Sequence, residues 1–213
     1  MNVQVEVVAV AARTPVGLTA ESSAASVRAG ICRYAEYPFI DPRGERLVPM
    51  AASVLEEIEA KIDQKILYGD KLSVLLALPE TRPGFSEEDA AWVVDSVAAR
   101  LRSKMSSARV EVAGRGHAGA IRAAEQVMRE CSEGRDNLFL VVGVDSYHHA
   151  NTFMWLERSR RFAQPGIRSG FTPGEGAGCL ALMSAGLRRR LRLPPIGHRA
   201  RGVHGSGAIP SRQ

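Results

Sequence analysis

Apolar and polar positions alternate along the chain in a pattern that predicts short strands separated by amphipathic segments. The apolar runs, of which 73–78 (SVLLAL) and 138–142 (LFLVV) are the clearest, have the length of buried strands. Strands are predicted over 3–11, 71–78, 108–112 and 138–142, and a further short strand follows a glycine-rich loop near 178. Helical periodicity predicts helices over 22–29, 51–64, 86–104 and 117–130. Strands alternating with helices predict an α/β fold, with a mainly parallel mixed sheet and helices on its faces.

Three segments lack either periodicity. Residues 34–49 combine prolines, glycine and mixed charge, which is typical of an irregular connection. Gly114-Arg115-Gly116 predicts a tight turn between a strand and an alanine-rich helix. Residues 168–178 (RSGFTPGEGAG) are so rich in glycine that we expect the backbone there to approach its neighbours closely.

The positive charge of the chain is concentrated at its C-terminal end. The formal net charge is +5, but no acidic residue follows Glu175, and seven arginines lie after Leu187. Without those seven the chain has 21 basic and 23 acidic residues, which leaves about −2 for the remainder. The sequence therefore predicts one domain over 1–186 and a basic, flexible tail over 187–213. The tail is either solvated or faces an acidic partner, and nucleic acid is disfavoured because no aromatic residue lies among its arginines.

Several classes of function are disfavoured by composition. No apolar run approaches the ~20 residues that span a bilayer, and the N-terminus has the pattern of a strand rather than of a leader, so no membrane association is expected. Three cysteines without a CxxC pair predict neither a disulfide framework nor a zinc site, and are typical of a reducing cytoplasm. The histidines have no metal-ligand spacing, since His148 and His149 are adjacent and His198 and His204 are six apart. Neither a metal nor a cofactor is expected.

Three features follow one another in an order that resembles a known family. An apolar strand leads into Thr14-Pro15-Val16-Gly17 and a helix ending at Gly30; a strand–turn–helix–strand unit ends with Val142-Gly143-Val144-Asp145-Ser146; and GFTPGEGAG follows at 170–178. Together these resemble the N-terminal half of a β-ketoacyl synthase, in the thiolase superfamily, over about residues 3 to 183. The resemblance implies a thiolase-like fold, one half of a five-layered αβαβα architecture. It also implies a nucleophilic cysteine at the start of a buried helix, and a strand that pairs across a dimer axis, here Arg109, Val110, Glu111 and Val112.

The nucleophile position implied by the resemblance is occupied by a histidine. Counting back from Asp145 reaches His117, and the surrounding residues 113–119 contain neither cysteine nor serine. His117 is then either a general base or a residue that fills the pocket, and the expected pocket and loop residues are Gly116, His117, Gly174, Glu175 and Gly176. We expect Glu175 to form an ion pair or a backbone hydrogen bond that fixes its loop, and Asp145 to cap the segment after its strand. Cys32, Cys131 and Cys179 are expected to be small buried apolar residues.

Two functions are consistent with these observations. The first is a catalytically inactive ketosynthase-like protein that acts as a binding partner or adaptor. Its partner would be an active ketosynthase, an acyl carrier protein or a bacterial type VI secretion effector, within a homo- or heterodimer. The second is an enzyme acting on acyl thioesters, condensing or decarboxylating, with His117 in place of the cysteine. A single half also leaves an apolar face that another chain or the tail would cover, unless the chain is truncated relative to its relatives.

Overall fold

The computed structural model describes residues 3–33, 45–69, 71–105 and 107–196, and it contains one five-stranded sheet with the order β1-β5-β4-β2-β3. The strands are β1 (Val5–Arg13), β2 (Leu72–Leu78), β3 (Arg109–Arg115), β4 (Leu138–Ser146) and β5 (Glu175–Ser184). β2 pairs in parallel with both β3 and β4, whereas β5 pairs antiparallel with both β4 and β1. The predicted mixed α/β sheet is confirmed, and its parallel and antiparallel pairings are equal in number because β5 runs against both of its neighbours.

Helices cover both faces of the sheet. They are α1 (Ala20–Arg28), α2 (Leu47–Lys61), α3 (Gln64–Leu67), α4 (Glu87–Arg102), α5 (Gly119–Ser132), α6 (Ala150–Arg158) and α7 (Ala185–Arg190). On one face, α2 and α4 bury the larger core, in which Val54, Ile58 and Val93 are fully buried. On the other face, α5 packs Ala123 and Val127 on Leu75, Phe139 and Val141.

The face that carries α5 has less helical cover than the other. Ile121 and Met128, seven residues apart and therefore on the same side of α5, are 72% and 51% exposed. Leu180 of β5 is 39% exposed, and it lies on the α5 face because Leu182, two residues on, packs into the α5 core. These three residues, Ile121, Met128 and Leu180, are called the apolar flank below.

Helix starts follow the capping signals in the sequence. Ser86 accepts a hydrogen bond from the backbone N–H of Asp89 at 3.2 Å, and the Asp89 carboxylate accepts one from the Ser86 backbone N–H at 2.7 Å. Thr19 and Ser22 form the same reciprocal box at the start of α1. Each box satisfies two backbone donors that would otherwise lack a partner at the helix end.

Several predicted boundaries were wrong. Gly114 and Arg115 lie in β3 rather than in a turn, because this strand continues its pairing with β2 as far as Leu78. The alanine-rich helix begins at Gly119, not at His117. α2 begins at Leu47, inside the segment predicted to be irregular, and 34–44 of that segment lie outside the described residues. Neither α3 nor α6 was predicted.

The basic C-terminal tail begins with ordered structure. α7 crosses the predicted boundary between 186 and 187, so the first residues of the predicted tail are helical. Leu187, Leu191 and Leu193 pack against the larger core, and two of the arginines form ion pairs, Arg188 with Glu6 and Arg190 with Asp136. The rest of the predicted tail, 197–213, lies outside the described residues.

Candidate functional site

A sharp elbow joins β3 to α5. Gly116 has a φ of +66°, and its N–H donates to the carbonyl of Leu78 at 2.9 Å, which ties the elbow to the end of β2. A Cβ on Gly114 would lie 2.4 Å from the carbonyl oxygen of Gly119, so only glycine lets the strand and the helix pass this closely. The strand–elbow–helix expected at 108–130 is therefore present.

His117 lies within this elbow, between Gly116 and the first turn of α5, and its side chain is exposed. It lines two adjoining cavities of about 340 and 310 Å³, which also share Gly116 and Asp145. A histidine in this position can donate a hydrogen bond to a molecule in either cavity, or accept one from it.

The 340 Å³ cavity has a floor made largely of glycine. Gly143 of β4 and Gly176 and Gly178 of β5 lie along it, and a Cβ on Gly143 would meet nothing within 4 Å. Arg13, at the end of β1, contributes a positive charge. The structure thus brings Gly116, His117 and Gly176 together around one cavity.

Glu175 lines a different cavity, of about 410 Å³. Its carboxylate accepts hydrogen bonds from the Arg46 guanidinium, with Nε at 2.6 Å, and from the Ser146 hydroxyl at 3.1 Å. Burial works against the charged form, but the hydrogen bonds and charge of Arg46 outweigh it and lower the pKa of Glu175. Glu175 therefore forms the expected ion pair. Gly174 precedes β5 and accepts a backbone hydrogen bond from Tyr147 at 3.1 Å.

Asp145 forms an ion pair with Arg82, a residue that the sequence analysis did not identify. Arg82 Nη2 donates to the Asp145 carboxylate at 2.6 Å and to the carbonyl of Ser146 at 2.7 Å. The Arg82 side chain is only 8% exposed, and its guanidinium carbon lies 4.1 Å from the centre of the Tyr147 ring. The prediction that Asp145 caps the next segment was wrong, because β4 continues to Ser146 and Asp145 turns back towards the loop after β2. No sequence pattern links two residues 63 positions apart.

The cysteines supply no nucleophile at the elbow. Cys131 and Cys179 are buried, and burial raises the pKa of both thiols, which opposes formation of the reactive thiolate. Cys32 is exposed, so its predicted burial was wrong; it follows the glycine that ends α1.

β3 forms one edge of the sheet. Glu111 and the buried Glu130 of α5 both accept from the Gln126 amide, at 2.5 and 2.9 Å, and Arg109 pairs with Glu111. The opposite edge, β1, is covered: Ile196 donates to the carbonyl of Val7, and the Glu57 carboxylate accepts from the N–H of Ala12. No further strand pairs with β3 among the described residues.

No family model matches the sequence, and no curated protein matches it. Solved structures do. A ketosynthase from module 6 of the bacillaene synthase of Bacillus subtilis 168 superposes with a TM-score of 0.66 over 90% of this chain, at 15% identity. The fold is ketosynthase-like.

Two further structures extend the comparison. One is a complex of a type II polyketide acyl carrier protein with its ketosynthase bound to a hexaketide (TM-score 0.68, 14% identity, 92% of this chain). The other is the ishigamide ketosynthase/chain length factor (TM-score 0.62, 17% identity, 90% of this chain). The ketosynthase-like chain spans 41%, 61% and 64% of the three matched chains, so it corresponds to about half of a ketosynthase.

Within 3–33, 45–69, 71–105 and 107–196, no helix is long and apolar enough to cross a bilayer. In the same ranges, no three metal-ligating side chains lie close enough together to hold an ion.

Proposed function

We propose that this chain acts as a non-catalytic, ketosynthase-like binding partner, and that its partner is an intact ketosynthase or its acyl carrier protein. The observation that carries the proposal is the elbow. The position at which the resemblance implies a nucleophilic cysteine holds His117, and an imidazole does not replace a thiolate that must carry an acyl chain.

The surfaces of the chain favour a protein partner. The outer edge of β3 presents backbone donors and acceptors to which another strand can add. Its residues Arg109, Val110, Glu111 and Val112 are the strand that the resemblance places at a dimer axis, so we propose this edge as the site of homo- or heterodimerisation. The apolar flank offers a second contact for the same partner.

A solved structure of the same fold contains a comparable assembly. The ishigamide ketosynthase/chain length factor is described as such a pair. By analogy, the present chain would take the place of the chain length factor beside a ketosynthase. Free cysteines are consistent with a cytoplasmic location for such a complex. A type VI secretion role remains a prediction that no observation above favours.

The test is reconstitution with a purified ketosynthase from the same host, followed by analytical ultracentrifugation. We expect a complex that is lost in Val110→Lys, since a lysine on an edge strand opposes strand addition. Val48→Lys is the matched control, because Val48 is also a partly buried valine packed against the larger core, but it lies on α2 rather than on the β3 edge and should leave the complex intact. Circular dichroism of both variants establishes that they are folded.

The enzymatic alternative is tested in parallel with acetyl and malonyl thioesters of coenzyme A and of acyl carrier protein. We expect no acyl adduct by intact mass and no turnover by the chain alone. Turnover that disappears in His117→Ala would replace the proposal with an acyl-thioester enzyme. The absence of any complex with the ketosynthase or the carrier protein would also contradict it.

A further inference from the structure

The segment between β4 and β5 carries an excess of positive charge. Residues 147–171, called the basic segment connecting β4 to β5, contain four arginines and one acidic residue, Glu157, so the formal net charge is 4 − 1 = +3 with histidines neutral. Residues 1–187, which include this segment, have 21 basic and 23 acidic residues and so carry about −2. The arginines are Arg158, Arg160, Arg161 and Arg168.

All four arginines are exposed and available for a partner. Elsewhere about half of the described arginines pair with acids, as Arg46 does with Glu175 and Arg188 with Glu6. Within the described part of the chain, none of the four lies within salt-bridge distance of a carboxylate. A surface of unpaired guanidinium groups produces a positive field and offers forked donors that match carboxylates.

Ring contacts and a backbone hydrogen bond hold the segment that carries the arginines. The rings of Tyr147 and Phe171 meet edge to face with centroids 5.4 Å apart, and those of Phe153 and Phe162 do so at 6.0 Å. The backbone N–H of Phe171 donates to the carbonyl of Arg161 at 3.0 Å, which closes the loop. Less side-chain and loop entropy is then lost when a partner binds.

Two of the arginines have a special geometry. Arg161 lies 5.8 Å from the ring centres of both Trp155 and Phe171, and with Trp155 it lines the 310 Å³ cavity that contains His117. Arg160 has a φ of +56°, a left-handed conformation that costs a non-glycine residue about 1 kcal/mol. A partner that contacts Arg161 would therefore lie against a residue that lines this cavity.

We propose that the basic segment connecting β4 to β5 binds an acidic segment of a protein partner. The proposal rests on the binding function proposed above and specifies the chemistry of one contact. Nucleic acid is disfavoured because Tyr147, Phe153, Phe162 and Phe171 are half-buried and packed edge-on against neighbouring rings. The remaining ring, Trp155, is also half-buried and faces the Arg161 guanidinium. Carboxylates need only the exposed guanidinium groups.

The test uses a fluorescein-labelled peptide of twelve glutamates, with fluorescein-labelled dT12 as a competing chemistry, and measures anisotropy at two salt concentrations. The triple variant Arg158→Gln, Arg160→Gln, Arg168→Gln is compared with Arg28→Gln, Arg102→Gln, Arg122→Gln. The second set removes the same charge from exposed positions outside the segment. We expect the first set to weaken peptide binding at least about tenfold and the second by less than about twofold.

Three results would overturn the proposal. Equal weakening by both sets would mean that only net charge matters. Tighter binding of dT12 than of the peptide, lost with the first set, would assign the surface to nucleic acid. These failures differ from a failure of the proposed function: a ketosynthase complex that forms normally while the peptide does not bind contradicts the acidic contact alone.

Discussion

Glu175 shows how a single residue links two distant parts of the sequence. It begins β5, and its carboxylate is held by Arg46 at the start of α2 and by Ser146 at the end of β4. The ion pair was predictable from a lone acid between two glycines, but its partner was not. Arg46 is 129 positions away, and it comes near because α2 packs on β1, β4 and β5.

At the residue scale, we predict that Glu175→Gln lowers the free energy of unfolding at pH 7 by about 1–3 kcal/mol, since charged hydrogen bonds to Arg46 are weakened in a half-buried site. The folded-state pKa lies below the ordinary value of 4.5. The contribution is therefore fully present above the unfolded pKa and is lost as the pH falls through the folded pKa. Urea unfolding at pH 7 and at about pH 3 should show the gap between the two proteins closing at the lower pH.

The matched control is Glu87→Gln, which removes the ion pair of an exposed carboxylate with Arg115. It should cost about 0.5 kcal/mol or less. A Glu175→Gln variant no less stable than this control would show that the Arg46 pair contributes nothing to the fold.

At the scale of elements, the sequence identified the strand–helix units better than it identified their ends. Strands β2 and β4 were recognised because continuous apolar runs of that length are typical of buried strands. The end of β3 was not, since Gly114 and Gly116 both resemble turn residues. Gly114 is instead in the strand because its missing side chain admits the backbone of Gly119. A glycine required by close packing cannot be distinguished in the sequence from a glycine required by a turn.

We predict that Gly114→Ala destabilises this elbow by more than about 3 kcal/mol, because the new methyl group would lie 2.4 Å from a backbone oxygen that has no flexible side chain to yield. Gly143→Ala adds the same methyl group where nothing lies within 4 Å and should change stability by about 1 kcal/mol or less. Thermal and urea unfolding would distinguish the two. Similar losses in both variants would mean that the close approach at the elbow is unimportant.

At the scale of the whole molecule, the two cores enclose different thiols. Cys179 lies in the core under α2, and Cys131 in the core under α5, while Cys32 is in solvent. We predict that iodoacetamide at pH 8 modifies Cys32 at least about tenfold faster than Cys131 or Cys179, and that all three react in urea. Peptide mass spectrometry over time gives the rates. Rapid modification of Cys131 in the native protein would indicate that the α5 face opens readily.

Strand order was the part of the architecture that the sequence pattern did not contain. Periodicity predicts where strands lie along the chain, but not which strand pairs with which. The ketosynthase resemblance supplied the fold class, whereas the position of His117 relative to Gly176 and Asp145 required the assembled sheet. Exposure was also unpredictable at Cys32, because it depends on which surfaces a neighbouring segment covers.

The position of β5 has a consequence for folding of the chain during its synthesis. Among the strands of the described residues, β5 is the last to leave the ribosome, yet it lies in the interior of the sheet, between β1 and β4. Until it emerges, the nascent chain holds β1 without its neighbour and β4 with an unpaired edge. Contacts as distant as Val5 with Ser184 then close last, which slows folding. During synthesis, the edges of β1 and β4 that pair with β5 are therefore exposed, although the folded protein buries them.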